Sequence, residues 1–251
     1  LVQAAELGDL EQRLDQAAEQ IANTRLAELP AEIEFAPQAA AEVPRLLEGL
    51  RIGIARDQAF AFIYPANVDL LIAMGAELHW FSPLVDNGLP EVDALWLPGG
   101  YPELHLQALE ANSAMATAIR HHFKQDKPIL AECGGLLYLT DRLTDKAGNS
   151  AAMLGIVAGE ATMQPRLTAL GMQSVDLGDG EIRGHTYHHS RLETTLEAQH
   201  HAIRQRGSQP GEAVYQLRGL TASYLHQYFA SNPQAIAQIF LKNVKQGLKS
   251  G

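Results

Sequence analysis

Apolar positions in the first half of the chain come in short runs separated by helical spacings. Arg51 to Ala55 (RIGIA), Glu77 to Phe81 (ELHWF), Ala94 to Leu97 (ALWL) and Pro128 to Glu132 (PILAE) predict strands. Between them, Val68 to Met74 predicts a helix ended by Gly75, and Ser113 to Lys124 predicts a longer one. After Cys133-Gly134-Gly135 a helix-like run, Leu136 to Leu139, begins. Strands alternating with helices predict an α/β fold, a mostly parallel doubly wound sheet with helices on both faces and ligands at the carboxyl ends of its strands. Two glycine-rich turns, Pro98-Gly99-Gly100 and Cys133-Gly134-Gly135, lie at such ends.

Past Met153 the pattern shifts to shorter strand-like pieces, Gly171 to Val175, Ile182 to Ser190, Val214 to Leu217 and Thr221 to Tyr224. A last helix is capped by Asn232 and started by Pro233, with Ile236, Ile239, Phe240 and Val244 as its core stripe. At the other end, Leu7, Leu10, Leu14, Ala17 and Ile21 predict an amphipathic helix within residues 1–29. Residues 30–49, rich in Ala, Glu and Pro, read as a linker, so the domain proper is expected over 50–251. The chain opens on Leu1, which suggests a piece of something longer, the helix either docking on the domain or remaining from an upstream one.

Composition narrows the class. The chain has 251 residues, 46% of them hydrophobic, which is ample for one large core. Nineteen basic against twenty-nine acidic residues leave a net charge of −10, the wrong sign for a nucleic-acid or anionic-membrane surface. No apolar run has the length of a membrane span and no signal peptide opens the chain. A single cysteine excludes an internal disulfide framework and points to a reducing, cytoplasmic setting.

That cysteine, Cys133, sits where a strand breaks into glycines and a helix, which is the sequence form of a nucleophile elbow. The turn is expected to project the thiol clear of the sheet, and the helix terminus can lower its pKa. A thiolate nucleophile needs a proton carrier, and acyl transfer needs N–H donors for the oxyanion. The Gly134 N–H is one donor, and the turn Pro98 to Glu103 can supply another. His226, at a strand end just ahead of the last helix, can carry the proton if it titrates near neutrality. No metal site is expected: strand alternation puts His185 and His189 on one face and His188 on the other, without a nearby Cys or carboxylate. The pairs His121-His122 and His200-His201 are expected on solvated faces.

These residues carry a resemblance. The stretches Ile54 to Phe60, Phe81 to Leu84, Gly99 to Leu104, Ala131 to Gly135, Gly184-His185 with His188, and Ser223 to His226 resemble the glutamine amidotransferase domain of cobyrinic or hydrogenobyrinic acid a,c-diamide synthases. The resemblance implies a flavodoxin-like class I amidotransferase fold, with Cys133 as glutaminase nucleophile and His226 as its proton-transfer partner. It implies Gly100 and Gly134 as the oxyanion hole. Tyr101, Glu103, Glu132, His185, His188 and Ser223 become possible substrate or interdomain contacts. Glutamine would be the substrate, and ammonia would pass to a corrin carboxylate on an upstream synthetase domain using ATP and Mg²⁺. This domain itself would need no cofactor, and a homodimer stays open. Two positions depart from the family pattern: Tyr228 stands where many related amidotransferases carry glutamate, and Thr186 replaces a glutamate of Gly-His-Glu-Phe-His-Tyr-Ser. Two other readings remain, a domain that mainly binds and regulates a synthetase partner and the related cobyric acid synthase; Ala131 to Gly135 favours the a,c-diamide branch over the latter.

Overall fold

The computed structural model describes residues 7–34, 43–207 and 209–244, so parts of the expected helix, linker and C-terminal end fall outside the described residues. The chain divides into two compact units, Leu1–Glu42 and Val43–Gly251. In the first, helix α1 (Leu10–Ile21) carries the amphipathic run. The second begins earlier than the composition suggested. Leu47 and Leu50 are fully buried and the Leu47 N–H donates to the Met74 carbonyl at 2.8 Å, so residues 43–49 pack with the domain rather than link to it.

Five strands form the parallel half of the main sheet: β1 (Arg51–Ala55), β2 (Glu77–Phe81), β3 (Ala94–Leu97), β4 (Ile129–Glu132) and, returning near the C-terminus, β13 (Leu220–Ser223). Helix α2 (Pro65–Ala73) follows β1, α3 (Leu106–Ala111) and α4 (Ser113–Lys124) follow β3, and α5 (Gly134–Leu139) follows β4. Then come β5 (Thr140–Thr144), β6 (Ser150–Ala152), β7 (Val157–Met163), β8 (Ala169–Asp176), β9 (Glu181–His188), β10 (Ser190–Thr194), β11 (His200–Arg204) and β12 (Pro210–Leu217). After β13, a two-residue strand β14 (His226–Gln227) precedes α6 (Pro233–Leu241), whose first turn is capped by the Asn232 side chain accepting from the Ala235 N–H.

The main sheet runs β14-β9-β8-β11-β12-β13-β4-β3-β1-β2, parallel from β13 to β2 and antiparallel from β12 to β14. A second sheet, β10-β7-β5-β6, was not legible in the apolar pattern. Strand alternation assigns the two faces. Ile52, Ile54, Ala94, Trp96 and Leu130 pack toward α2 and α6, with Leu71, Ile236 and Phe240. Ala55, Leu95, Leu97, Ile129 and Ala131 pack toward α3, α4 and α5, with Leu109, Ile119 and Leu136. Helices therefore cover both faces, and each fully buried Leu or Ile contributes roughly 1.5–3 kcal/mol. Among the described residues no helix is long and apolar enough to cross a membrane.

His122 corrects an expectation. It continues the α4 stripe of Met115 and Ile119 into the core, and its Nε2–H donates to the Pro128 carbonyl at 3.2 Å. Burial lowers its pKa to about 4. The unfolded chain thus takes up a proton near pH 6.5 that the folded chain refuses until about pH 4, so this contribution to stability is lost as pH falls through that window. Relative to His122→Gln, the native chain should lose about 2 kcal/mol of unfolding free energy between pH 8 and pH 5. Urea unfolding at the two pH values reads this directly, and parallel pH profiles would refute it.

Candidate active site

The break between β4 and α5 places Cys133 at φ 46° and ψ −104°, a conformation L side chains rarely adopt. Of order 1–3 kcal/mol of strain of this kind persists only where the surroundings fix both flanks. On one side is buried β4; on the other, Gly134 and Gly135 allow an approach no side chain would permit. A Cβ on Gly134 would lie 2.8 Å from the Gly100 nitrogen, and one on Gly135 would lie 2.0 Å from the Leu97 carbonyl oxygen. The elbow and the Pro98 to Glu103 turn are therefore in backbone contact, with Gly100 beside Gly134.

The thiol does not stand clear of the sheet. Cys133 is 8% exposed, its N–H donates to the Ser223 carbonyl at 2.8 Å, and its pKa is pushed up to about 12. Burial is the main cause, followed by Glu103; a hydrogen bond from the Gly134 N–H opposes them without prevailing. The expected depression of the thiol pKa is thus overturned, since a six-residue helix does not offset burial among carboxylates.

His226 is equally enclosed, at 4% exposure. Its ring lies over Gly99, where a Cβ would meet Cε1 at 2.4 Å. Phe62 meets it edge-on at 4.7 Å, and His185 stacks on it at 5.0 Å with 19° between the planes. Burial, then His185 and His188, lower its pKa to about 3, so it does not titrate near neutrality as expected. At neutral pH the resting pair is a neutral thiol and a neutral imidazole. One hydrogen bond links their flanks: the Gln227 N–H, next to His226, donates at 2.8 Å to Oε1 of Glu132, next to Cys133.

An elbow of this kind, with the Gly100 and Gly134 backbone alongside and a histidine on the short strand β14 joined to it through Glu132, suits attack by sulfur on a carbonyl carbon. Residues 51–234 match the CobB/CobQ-like glutamine amidotransferase domain. The chain belongs to that family. A glutamine amidotransferase domain takes glutamine as its substrate. The chain is 53% identical to the hydrogenobyrinate a,c-diamide synthase of Pseudomonas aeruginosa, over 95% of this chain and 55% of that protein. It is 54% identical to the enzyme of that name from Stutzerimonas stutzeri, over 95% and 56%, and 44% identical to the cobyrinate a,c-diamide synthase of Herminiimonas arsenicoxydans, over 98% and 57%. It therefore spans about half the length of these curated relatives. Among solved structures, one assigned as a GMP synthase protein of Thermoplasma acidophilum superposes with a TM-score of 0.50 at 17% identity, over 77% of this chain and 93% of that one, a likeness of fold.

Within this amidotransferase domain the other expected contact residues divide. His185 is half-buried, with Tyr64 Oη 3.0 Å from its Nδ1. Glu103 is partly buried near the elbow, and burial raises its pKa to about 7. Tyr101 anchors the turn through its N–H to the Ala59 carbonyl at 2.9 Å. Two others are not free to meet substrate or partner. Ser223 is buried, its hydroxyl donating to the Ala213 carbonyl at 2.8 Å and accepting from the Leu225 N–H at 3.1 Å. Glu132 is buried between Trp96 and Gln227, because strand alternation turns it to the face opposite Cys133.

His188 stacks on Tyr224 at 3.8 Å and meets Glu212 Oε1 at 3.3 Å through Nε2, while the Thr186 hydroxyl donates to the same oxygen at 3.0 Å. Burial acts to raise the Glu212 pKa, yet the hydrogen bonds from His188 and Thr186 hold it below the usual carboxylate range. The carboxylate absent at Thr186 thus arrives from β12, 26 residues away in sequence, and no local pattern announces it.

Proposed function

We propose that this domain hydrolyses glutamine through a Cys133 thioester and supplies ammonia for amidation of corrin carboxylates a and c within a larger a,c-diamide synthase. Cys133 sulfur attacks the side-chain amide carbon, and His226 takes the thiol proton. The Gly100 and Gly134 N–H groups hold the oxyanion that forms on the carbonyl oxygen. As the C–N bond breaks, His226 returns the proton to the leaving nitrogen, releasing ammonia. Water then cleaves the thioester to glutamate and regenerates the thiol. Activation of the corrin carboxylate by ATP and Mg²⁺ falls to the synthetase part of the enzyme, and a cytoplasmic setting keeps the thiol reduced. The observation that carries this reading is the strained elbow at Cys133 tied through Glu132 to the strand end bearing His226.

The test is release of glutamate from glutamine, with and without the synthetase part. His226→Ala should lower kcat by on the order of 10²–10⁴-fold, measured on protein that remains folded. Turnover unchanged by that substitution would remove His226 from the mechanism. A second reading has its own support: burial holds both Cys133 and His226 neutral at rest, which fits a domain that idles alone and is activated by its partner. Equal, high rates with and without the synthetase part would reject it.

A further inference from the structure

Glu132 is anomalous for its place. It ends β4 on the face that Leu130, Trp96, Ile52 and Ile54 fill with hydrocarbon, and it is 2% exposed. A carboxylate there must be held by donors, since burial of an unpaired charge costs several kcal/mol. Two N–H groups hold it: Trp96 Nε1 donates to Oε2 at 2.9 Å and Gln227 N to Oε1 at 2.8 Å. Burial pushes the Glu132 pKa up to about 7 while these two bonds act to lower it, and a carboxyl offers each donor an oxygen of its own. A glutamine would turn its NH₂ toward one of the donors.

The strand end it holds needs outside support. β14 has two residues and lies at the sheet edge, paired on one side only, with His226 opposite His185 and Gln227 opposite Gly184 on β9. On the other side two buried side chains replace a neighbouring strand. Glu132 takes the Gln227 N–H, while Asn67 of α2 donates to the Gln227 carbonyl at 2.8 Å and accepts from the Phe229 N–H at 2.8 Å. The Glu132 carboxyl is one residue from Cys133 and the bond it accepts comes from one residue past His226, so a single hydrogen bond ties the backbone of one reacting side chain to that of the other.

We infer that Glu132 is a positioning residue for His226: its carboxylate, clamped between the Trp96 indole and the Gln227 backbone, fixes the strand end carrying His226 against the elbow carrying Cys133. This rests on the glutaminase mechanism proposed above. It also accounts for an acid-free position at Tyr228, because the histidine is oriented through its backbone rather than through a carboxylate on its ring.

The test is a double-mutant cycle read on glutamine hydrolysis, in whichever form of the protein, alone or with its synthetase part, releases glutamate. No release from the native protein in either form would sink the mechanism itself, and the inference with it. With an active native protein, Glu132→Gln should lower kcat by roughly 10²-fold, as about 1 Å of misplacement does, with KM changing less than about threefold. In the His226→Ala background the same substitution should cost less than about twofold, since its effect runs through the imidazole. A purely structural role would instead multiply the two losses. If Glu132→Gln alone does not fold, Trp96→Phe/Glu132→Gln removes the mismatched donor and lets the amide oxygen keep the Gln227 bond; activity within about tenfold of native is then expected. Native-like kcat in folded Glu132→Gln, multiplicative losses in the cycle, or a folded but inactive double variant would each overturn the assignment.

Discussion

Cys133→Ser is expected to abolish glutamine hydrolysis, by about 10⁴-fold or more, while leaving the fold intact. Serine is nearly isosteric, so the Ser223 hydrogen bond to the backbone N–H at 133 and the strained φ of 46° are both retained. What is lost is sulfur: a hydroxyl is far less acidic and less nucleophilic than a thiol, and the same histidine would have to remove its proton. Glutamate release and urea unfolding measured together separate chemistry from stability. In an intact synthetase the substitution should remove amidation driven by glutamine and spare amidation driven by added ammonia. Loss of both would show that the thiol supports structure, and retention of glutamine hydrolysis would end the proposal that it is the nucleophile.

Gly135→Ala is expected to produce the largest loss of stability among single glycine replacements in the elbow, roughly 3 kcal/mol or more. Its Cβ would stand 2.0 Å from the Leu97 carbonyl oxygen and 2.7 Å from the Leu97 carbonyl carbon. β3 lies between β1 and β4 in the sheet and leads directly into Gly99 and Gly100, so relief of the clash must also displace the turn beneath His226. The unfolding midpoint and glutaminase activity should fall together. Gly88→Ala, where an added Cβ meets nothing within 4 Å, should change stability by less than about 0.5 kcal/mol. Equal effects at the two positions would refute the close-approach argument.

Four strands were read from sequence with nearly correct ends, β1 to β4, and of these only the edge strand β2 is not mostly buried. β1, β3 and β4 are buried almost throughout, and a continuous apolar run bounded by glycine or proline marks them without reference to the rest of the chain. The second sheet escaped notice because β5 buries only Thr140 and Leu143 and β7 only Val157, Ala161 and Met163, without regular alternation, and the two include Asp141, Arg142, Gly159 and Glu160. The stretch from Ile182 to Ser190, expected as one strand, divides at His189 into β9 and β10, which belong to different sheets. The candidate site shows the same division. Cys133, His226 and the glycines are marked by local turn chemistry, so their place was legible. Their ionisation was not, because it is set by residues distant in the chain: Phe62 and His185 around His226, Glu103 and Glu212 around Cys133. Glu132 was misplaced because it is adjacent in sequence to Cys133, whereas alternation turns its carboxyl to the opposite face, onto Trp96.

That alternation restricts how the gene can vary in length. Adding or deleting a single codon within β4 would swap the layers that positions 132 and 133 serve, sending the acid into the thiol's place and the thiol among the hydrocarbon of α2 and α6. Natural insertions and deletions should therefore avoid β4 altogether and collect in hairpins such as Asp145–Asn149, whose tip is closed by hydrogen bonds of its own.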